Sequence, residues 1–256
     1  MLNGYKLIAV CLTKIQDEVT YEFIDALYQT VKGSDYRLLL FNSFSDLYHQ
    51  NVYDEGAKSI YQLLNYDLVD AVIIKADTIN DHQVIRDLIA RAKERQIPVI
   101  LLNMKAEGCY SIVPSYENVF SQLIEHVIKV HHKRKLYFLS GSMGESNSML
   151  REKIFRETLR DCGIDPQTAK VAYGEYWYGP AERAVENWIQ SGDLPEAIIC
   201  ANDAMAVAAC KVLKRHQIRV PEDMIVTGFD GVPSYQFHRP ALSTCTRTSS
   251  VLAGKC

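Results

Sequence analysis

Three side chains that can exchange hydrogen bonds with a ligand, Asn202, Asp203 and Asp230, each follow a short apolar run within one segment, Ala197 to Pro233. An amide or a carboxylate at the end of such a run can hold the polar groups of a small molecule. No catalytic constellation accompanies them. Gly141-Ser142-Met143-Gly144 lacks the glycine and lysine spacing of a dinucleotide fingerprint or a phosphate-binding loop. The stretch Ser140 to Gly144 misses the nucleophile-elbow pattern by one glycine. His131 and His132 are adjacent rather than one helical turn apart, which is the wrong spacing for a shared metal. The chemistry on offer is recognition, without an implied metal or catalytic residue.

The same segment dictates the elements that position these groups. Ala197-Ile198-Ile199-Cys200 is short, apolar and uninterrupted, as a strand covered on both faces should be. The helix that follows, Ala204 to His216, is rich in alanine and can lie close against a sheet while Lys211, Lys214 and Arg215 face water. Asp203 is assigned as its N-cap. Met224 to Gly228 is the next buried strand. A right-handed strand-helix-strand crossover makes the two strands parallel and brings Asn202, Asp203 and Asp230 to one carboxyl edge. Open α/β sheets bind ligands at that edge.

The alternation runs through the whole chain. Buried strand runs begin at Leu7, Tyr36, Val69 and Val99, with amphipathic helices between them, and Ser115 is placed as the cap of a further helix carrying Phe120, Ile124 and Val127. After the basic stretch His131 to Lys135 the pattern restarts at Leu136, and Pro180 suits the first turn of a later helix. Two consecutive β-α series of similar size predict an α/β fold of two similar lobes, parallel sheets flanked by helices, facing each other across a cleft.

Bulk properties narrow the function. A chain of 256 residues, 48% hydrophobic and 23% charged, is long enough for two buried cores. The net charge of −3, with no basic cluster beyond His131 to Lys135, argues against a nucleic-acid surface on this chain. No apolar run approaches the roughly 20 residues of a membrane helix, and the N-terminus lacks a signal-peptide pattern, which points to the cytoplasm. Seven cysteines, odd in number and without a CxxC pair, read as reduced and mostly buried thiols.

Four ordered motifs carry a resemblance: Cys200-Ala201-Asn202-Asp203-Ala204-Met205-Ala206, Arg219-Val220-Pro221-Glu222-Asp223, Gly228-Phe229-Asp230 and Arg239-Pro240-Ala241-Leu242-Ser243-Thr244. Together they resemble the effector-sensing core of the lac-repressor (LacI) family, relatives of the type I periplasmic binding proteins, over nearly the whole chain. The resemblance implies two Rossmann-like lobes, periplasmic binding protein type I-like, with an N-terminal lobe of residues 1–131 plus 241–256 and a C-terminal lobe of residues 132–240. It implies a small-molecule effector, a sugar or similar polar metabolite, held between the lobes, a homodimer that relays lobe closure to an output domain, and no cofactor. The chain ends inside what should be the helix completing the first lobe, so truncation there is expected, and DNA would be contacted only through a module absent from this chain. The output is either a helix-turn-helix module or a C-terminal domain of the diguanylate-cyclase type. The competing readings are a solute-binding receptor for sugar uptake, disfavoured by the missing signal sequence, and a nucleotide-dependent enzyme, disfavoured by the missing fingerprint.

Carried over residue by residue, the resemblance makes Arg151, Asn202 and Asp230 the polar ligands. An arginine presents a planar fork of donors and an aspartate can accept from two adjacent hydroxyls. Tyr176 falls where the family places an aromatic over its ligand, with Trp177 beside it as the second choice. Asn42, Asn103 and Glu117 match the polar edge of the first lobe. The departure is the first loop, where the family often reads Asn-Pro-Phe and this chain has Asp17-Glu18-Val19. Asp17 stays a candidate, and two inward-pointing carboxylates would disfavour an anionic ligand. In this scheme Asn202 binds and Asp203 caps.

Overall fold

The computed structural model describes residues 4–45, 53–79 and 81–245. They fall into two compact units, one within Met1–Pro114 and one within Ser115–Arg247. In the first, β1 (Lys6–Thr13), α1 (Glu18–Val31) and β2 (Tyr36–Ser43) are followed by the short helix α2 (Asp54–Lys58), which runs into a 3-10 turn at Ser59–Leu63. Then come β3 (Ala71–Lys75), α3 (Ala76–Ile79), α4 (His82–Glu94), β4 (Val99–Leu102) and β5 (Tyr110–Ile112). The strands form one parallel sheet in the order β2-β1-β3-β4-β5. The period-2 alternation of a strand sends its side chains to opposite faces. Ala9, Cys11, Val72 and Ile74 accordingly join a cluster with Ile85 and Leu88 of α4, while Val10, Leu12 and Ile73 join another with Phe23, Ile24 and Leu27 of α1.

The second unit contains α5 (Glu117–Lys129), β6 (Leu136–Ser140), α6 (Ser146–Asp161), β7 (Val171–Tyr173), α7 (Tyr178–Gln190), β8 (Ala197–Cys200), α8 (Asp203–Arg215) and β9 (Ile225–Thr227). Its sheet is parallel, in the order β7-β6-β8-β9. The uninterrupted apolar runs of β6 and β8 are buried along their whole length, because α5 and α6 pack together as one pair and α7 and α8 as another. The alanines of α8 are buried, which lets that helix approach closely.

Two details differ from expectation. Helix α5 was placed in the first lobe by a boundary at residue 131, but Phe120, Ile124, Val127 and Ile128 share a core with Phe138 and Phe155 of the second unit. Its N-cap position is Tyr116 rather than Ser115, with no side-chain cap bond. Residues 246–256, where truncation of a helix was expected, lie outside the described residues.

Candidate functional site

The strand order of the second unit reverses at β6, so α6 leaves β6 toward β7 while α8 leaves β8 toward β9. The carboxyl ends of β6 and β8 therefore bound a crevice of the kind where doubly wound sheets take their ligands. Helix α6 starts at Glu145, whose carboxylate accepts from the amides of Asn147 at 2.9 Å and Ser148 at 2.8 Å. Arg151 sits in its second turn, only 3% exposed. Its guanidinium donates to the carbonyl of Ala201, immediately beyond β8, so the side chain crosses the crevice.

Three rings surround that guanidinium: Phe229 with its centroid at 4.6 Å, Tyr116 at 5.1 Å and Tyr176 at 5.8 Å. Such contacts favour a cation most when water is excluded. Arg151 Nη2 lies 3.7 Å from Asp230 Oδ1. Burial works to lower the arginine's pKa, but the Asp230 carboxylate, with Tyr176 and Tyr116, outweighs it and the net direction is upward. The arginine stays charged. Its Nε is buried with no hydrogen-bond partner among the described residues.

Asp230 follows the turn after β9 with φ of 112°, a left-handed conformation that costs a non-glycine residue free energy. Its amide donates to the carbonyl of Cys245 at 3.0 Å, which anchors the loop. Tyr176, also left-handed with φ of 55°, is 8% exposed. Its hydroxyl lies 2.9 Å from Ser148 Oγ and donates to Glu145 at 3.2 Å. The ring leaves no room at Gly141, where a Cβ would stand 2.0 Å from Tyr176 Cζ.

The capping role at the start of α8 falls to Asn202 rather than to Asp203. Asn202 is the N-cap, accepting from the Met205 amide at 3.0 Å, and its Nδ2 donates to the Tyr176 carbonyl at 3.2 Å. Asp203, the first helical residue and fully buried, accepts from the Val232 amide at 2.8 Å and the Thr244 hydroxyl at 2.5 Å. Burial pushes its pKa up to about 6, against the lowering effect of those two donors, and the Asp230 charge adds to the rise. Asp203 ties the Asp230 loop to the helix, and a Cβ on Gly228 would fall 2.2 Å from its Oδ1.

Arg151, Tyr176, Asn202 and Asp230 are thus gathered at one edge of the second unit. Trp177 is 57% exposed and packs edge-on against Tyr178 at 5.2 Å. Glu117 opens α5 in the second unit, in a surface groove with Leu150 and Lys153 of α6 rather than beside Arg151. In the first unit, Asn42 accepts from the Ile15 amide at 2.9 Å and so holds the loop after β1, Asp17 is the exposed N-cap residue of α1, and Asn103 follows β4 with φ of 61°. The sequence reading missed Tyr116, Phe229, Glu145 and Ser148. Phe229 lies inside the Gly228-Phe229-Asp230 motif; Glu145, immediately before α6, is not a usual capping residue, and nothing local singles out Tyr116.

Residues 124–250 match the periplasmic binding protein-like domain family. The chain is similar to the HTH-type transcriptional repressor PurR of Photobacterium profundum, 26% identical over 244 residues that span 94% of this chain and 70% of the relative. The fold is similar to that of the dimeric lac repressor, with a TM-score of 0.79 at 20% identity, covering 97% of this chain and 87% of the other. It also matches the LacI family transcriptional regulator CCPA from Weissella paramesenteroides with bound glucose, with a TM-score of 0.81 at 19% identity over 97% of this chain and 88% of that one. Both the sequence relative and the glucose-bound structural neighbour are named as transcriptional regulators. No described helix is long and apolar enough to cross a membrane, and no described group of three metal-binding side chains exists.

Proposed function

We propose that the carboxyl edge of the second unit binds a small polyhydroxylated effector, a sugar or similar polar metabolite, through Arg151 and Asp230, with aromatic support from Tyr116 and Tyr176. The observation that carries this reading is Arg151: a guanidinium 3% exposed, ringed by aromatics, facing a carboxylate at 3.7 Å and keeping a buried Nε without a hydrogen-bond partner among the described residues. A cation held this way costs desolvation and is retained where its fork of donors is used. The glucose bound to a structural neighbour supports the ligand class, and the repressor relatives support a cytoplasmic regulator that acts as a homodimer and reaches DNA through a separate module. Effector binding then shifts an equilibrium between two conformations by its differential affinity for them.

The test is direct. Isothermal titration with a sugar that raises the melting temperature of the wild type should show saturable binding, and Asp230→Ala should abolish it while the circular dichroism spectrum is unchanged. Ligand at 100 times its Kd adds about 2.7 kcal/mol of stability, which a thermal-shift screen detects. Unaltered affinity in Asp230→Ala refutes the assignment.

A further inference from the structure

We propose that the outer edge of β7, with the groove between it and α7, docks an extended segment of a partner protein. The segment adds to the second unit's sheet as a fifth strand and carries an apolar residue and a carboxylate on one face. Strand β7 pairs with β6 alone. The Phe138 amide donates to the Lys170 carbonyl at 2.9 Å, and the Gly174 amide donates to the Ser140 carbonyl at 2.8 Å. A strand turns the main chain of alternate residues to alternate sides, so Lys170, Ala172 and Gly174 serve β6 while Val171 and Tyr173 face outward. The amides and carbonyls of those two have no hydrogen-bond partner among the described residues.

The opposite edge of the same sheet is closed. There the chain returns beside β9, and the Gly228 and Asp230 amides donate to the carbonyls of Ser243 at 2.8 Å and Cys245 at 3.0 Å. An open edge is a template for another strand, but one of three residues is too short to hold a partner by main-chain bonds alone. Side-chain pockets supply the rest in strand addition. A groove of about 450 Å³ lies along this edge on the α7 face. Tyr173 turns to the other face, where its hydroxyl donates to Glu152 of α6 at 3.2 Å, so the alternation puts Ala172 in the groove. Ala184 and Trp188 of α7, both buried, complete an apolar lining whose two alanines leave room for a side chain of the incoming strand.

Charge selects the segment. Two charged side chains line the groove, and Glu175 has a partner of its own. Arg183, exposed on α7, has neither a hydrogen bond nor an ion pair among the described residues. Asn187 stands one helical turn further along the same face. A guanidinium beside an amide offers a carboxylate a fork of donors. Because every second side chain of an added strand meets the α7 face, an apolar residue over Ala172 and Ala184 puts its next-but-one neighbour within the groove as well. A carboxylate there answers Arg183, whereas a lysine meets a like charge.

The experiment is fluorescence anisotropy of the full chain with a labelled peptide, Ser-Thr-Val-Leu-Thr-Asp-Val-Thr-Ser, in which leucine and aspartate share a face, and with its analogue bearing lysine for aspartate. The expected result is saturable binding of the aspartate peptide to the wild type, at least tenfold weaker binding of the lysine peptide, and the reverse preference in Arg183→Glu. Val171→Pro removes an outward amide and no ladder bond, and should weaken the aspartate peptide at least tenfold while tryptophan fluorescence in urea shows the second unit folded. No binding by the wild type, equal binding of the two peptides, or wild-type affinity in a folded Val171→Pro overturns the proposal. Should Val171→Pro unfold, the exchange of preference in Arg183→Glu decides, and its absence overturns the proposal too. Self-association of the wild type that Val171→Pro abolishes, seen by sedimentation, assigns the edge to a second copy and overturns the partner segment.

Discussion

Replacing Asp203 with Asn should stabilise the second unit at neutral pH and do nothing at pH 4. Asp203 is fully buried at the start of α8, and burial raises its pKa to about 6 from an ordinary 3.8. Because the folded value is the higher one, the native state holds a proton that the unfolded chain has already released between these two pH values. Stability therefore falls as pH rises through that window and is flat above it. The gap, at about 1.36 kcal/mol per pH unit, amounts to about 3 kcal/mol at pH 7. Asparagine is neutral throughout and can keep both contacts: its carbonyl accepts from the Val232 amide, and its amide donates to Thr244 Oγ1, whose oxygen also receives the Gly231 amide. Both tryptophans, Trp177 and Trp188, lie in the second unit, so their fluorescence in urea reports that unit alone. The difference between variant and wild type should grow from near zero at pH 4 to about 3 kcal/mol at pH 7. A variant less stable than the wild type at pH 7, or a difference independent of pH, refutes the reasoning.

Gly141→Ala should destabilise the second unit by about 1–3 kcal/mol in the same urea assay, because the new methyl overlaps the Tyr176 ring at 2.0 Å and Ser148 Oγ at 2.5 Å. It should also weaken effector binding, since the ring it displaces borders Arg151. Cys11, Cys200 and Cys210 should resist a thiol reagent at pH 8 until the protein is unfolded, as burial holds the first two thiols up, Cys11 to about 12, and raises Cys210 to about 11. Prompt labelling of any of the three in native protein, read by mass spectrometry, contradicts the packing described.

The fold was legible because its signals are local. Strands such as Ala197–Cys200 are apolar without a break and the helices between them are amphipathic, and these two patterns in alternation leave few arrangements other than parallel sheets. The elements that escaped are those whose sequence carries no such pattern. Strand β5, Tyr110–Ile112, is three residues long and largely exposed, so it exists through pairing with β4 rather than through burial of its own side chains. Lys75 escaped for the opposite reason. A lysine closing an apolar run reads as the point where the chain meets water, and only the tertiary fold buries it beside Asp77.

The transfer of the cap from Asp203 to Asn202 has the same origin. Either residue can cap a helix, and propensity ranks them together. The decision comes from chain far away: Val232 and Thr244, 29 and 41 residues further on, return over the start of α8 and supply Asp203 with two donors. With its carboxylate turned to those donors, Asp203 leaves the cap to Asn202, whose amide nitrogen can then hold the Tyr176 carbonyl. This also explains how a strained residue persists at the site. Asp230 at φ of 112° and Tyr176 at φ of 55° are each held by bonds from outside their own turns, Asp230 through the Cys245 carbonyl and Tyr176 through Asn202. Strain at such positions endures when the surroundings over-determine it. The start of α8 thus holds the Tyr176 backbone through Asn202 and ties the loop after Asp230 to the helix through Asp203 and the Val232 amide.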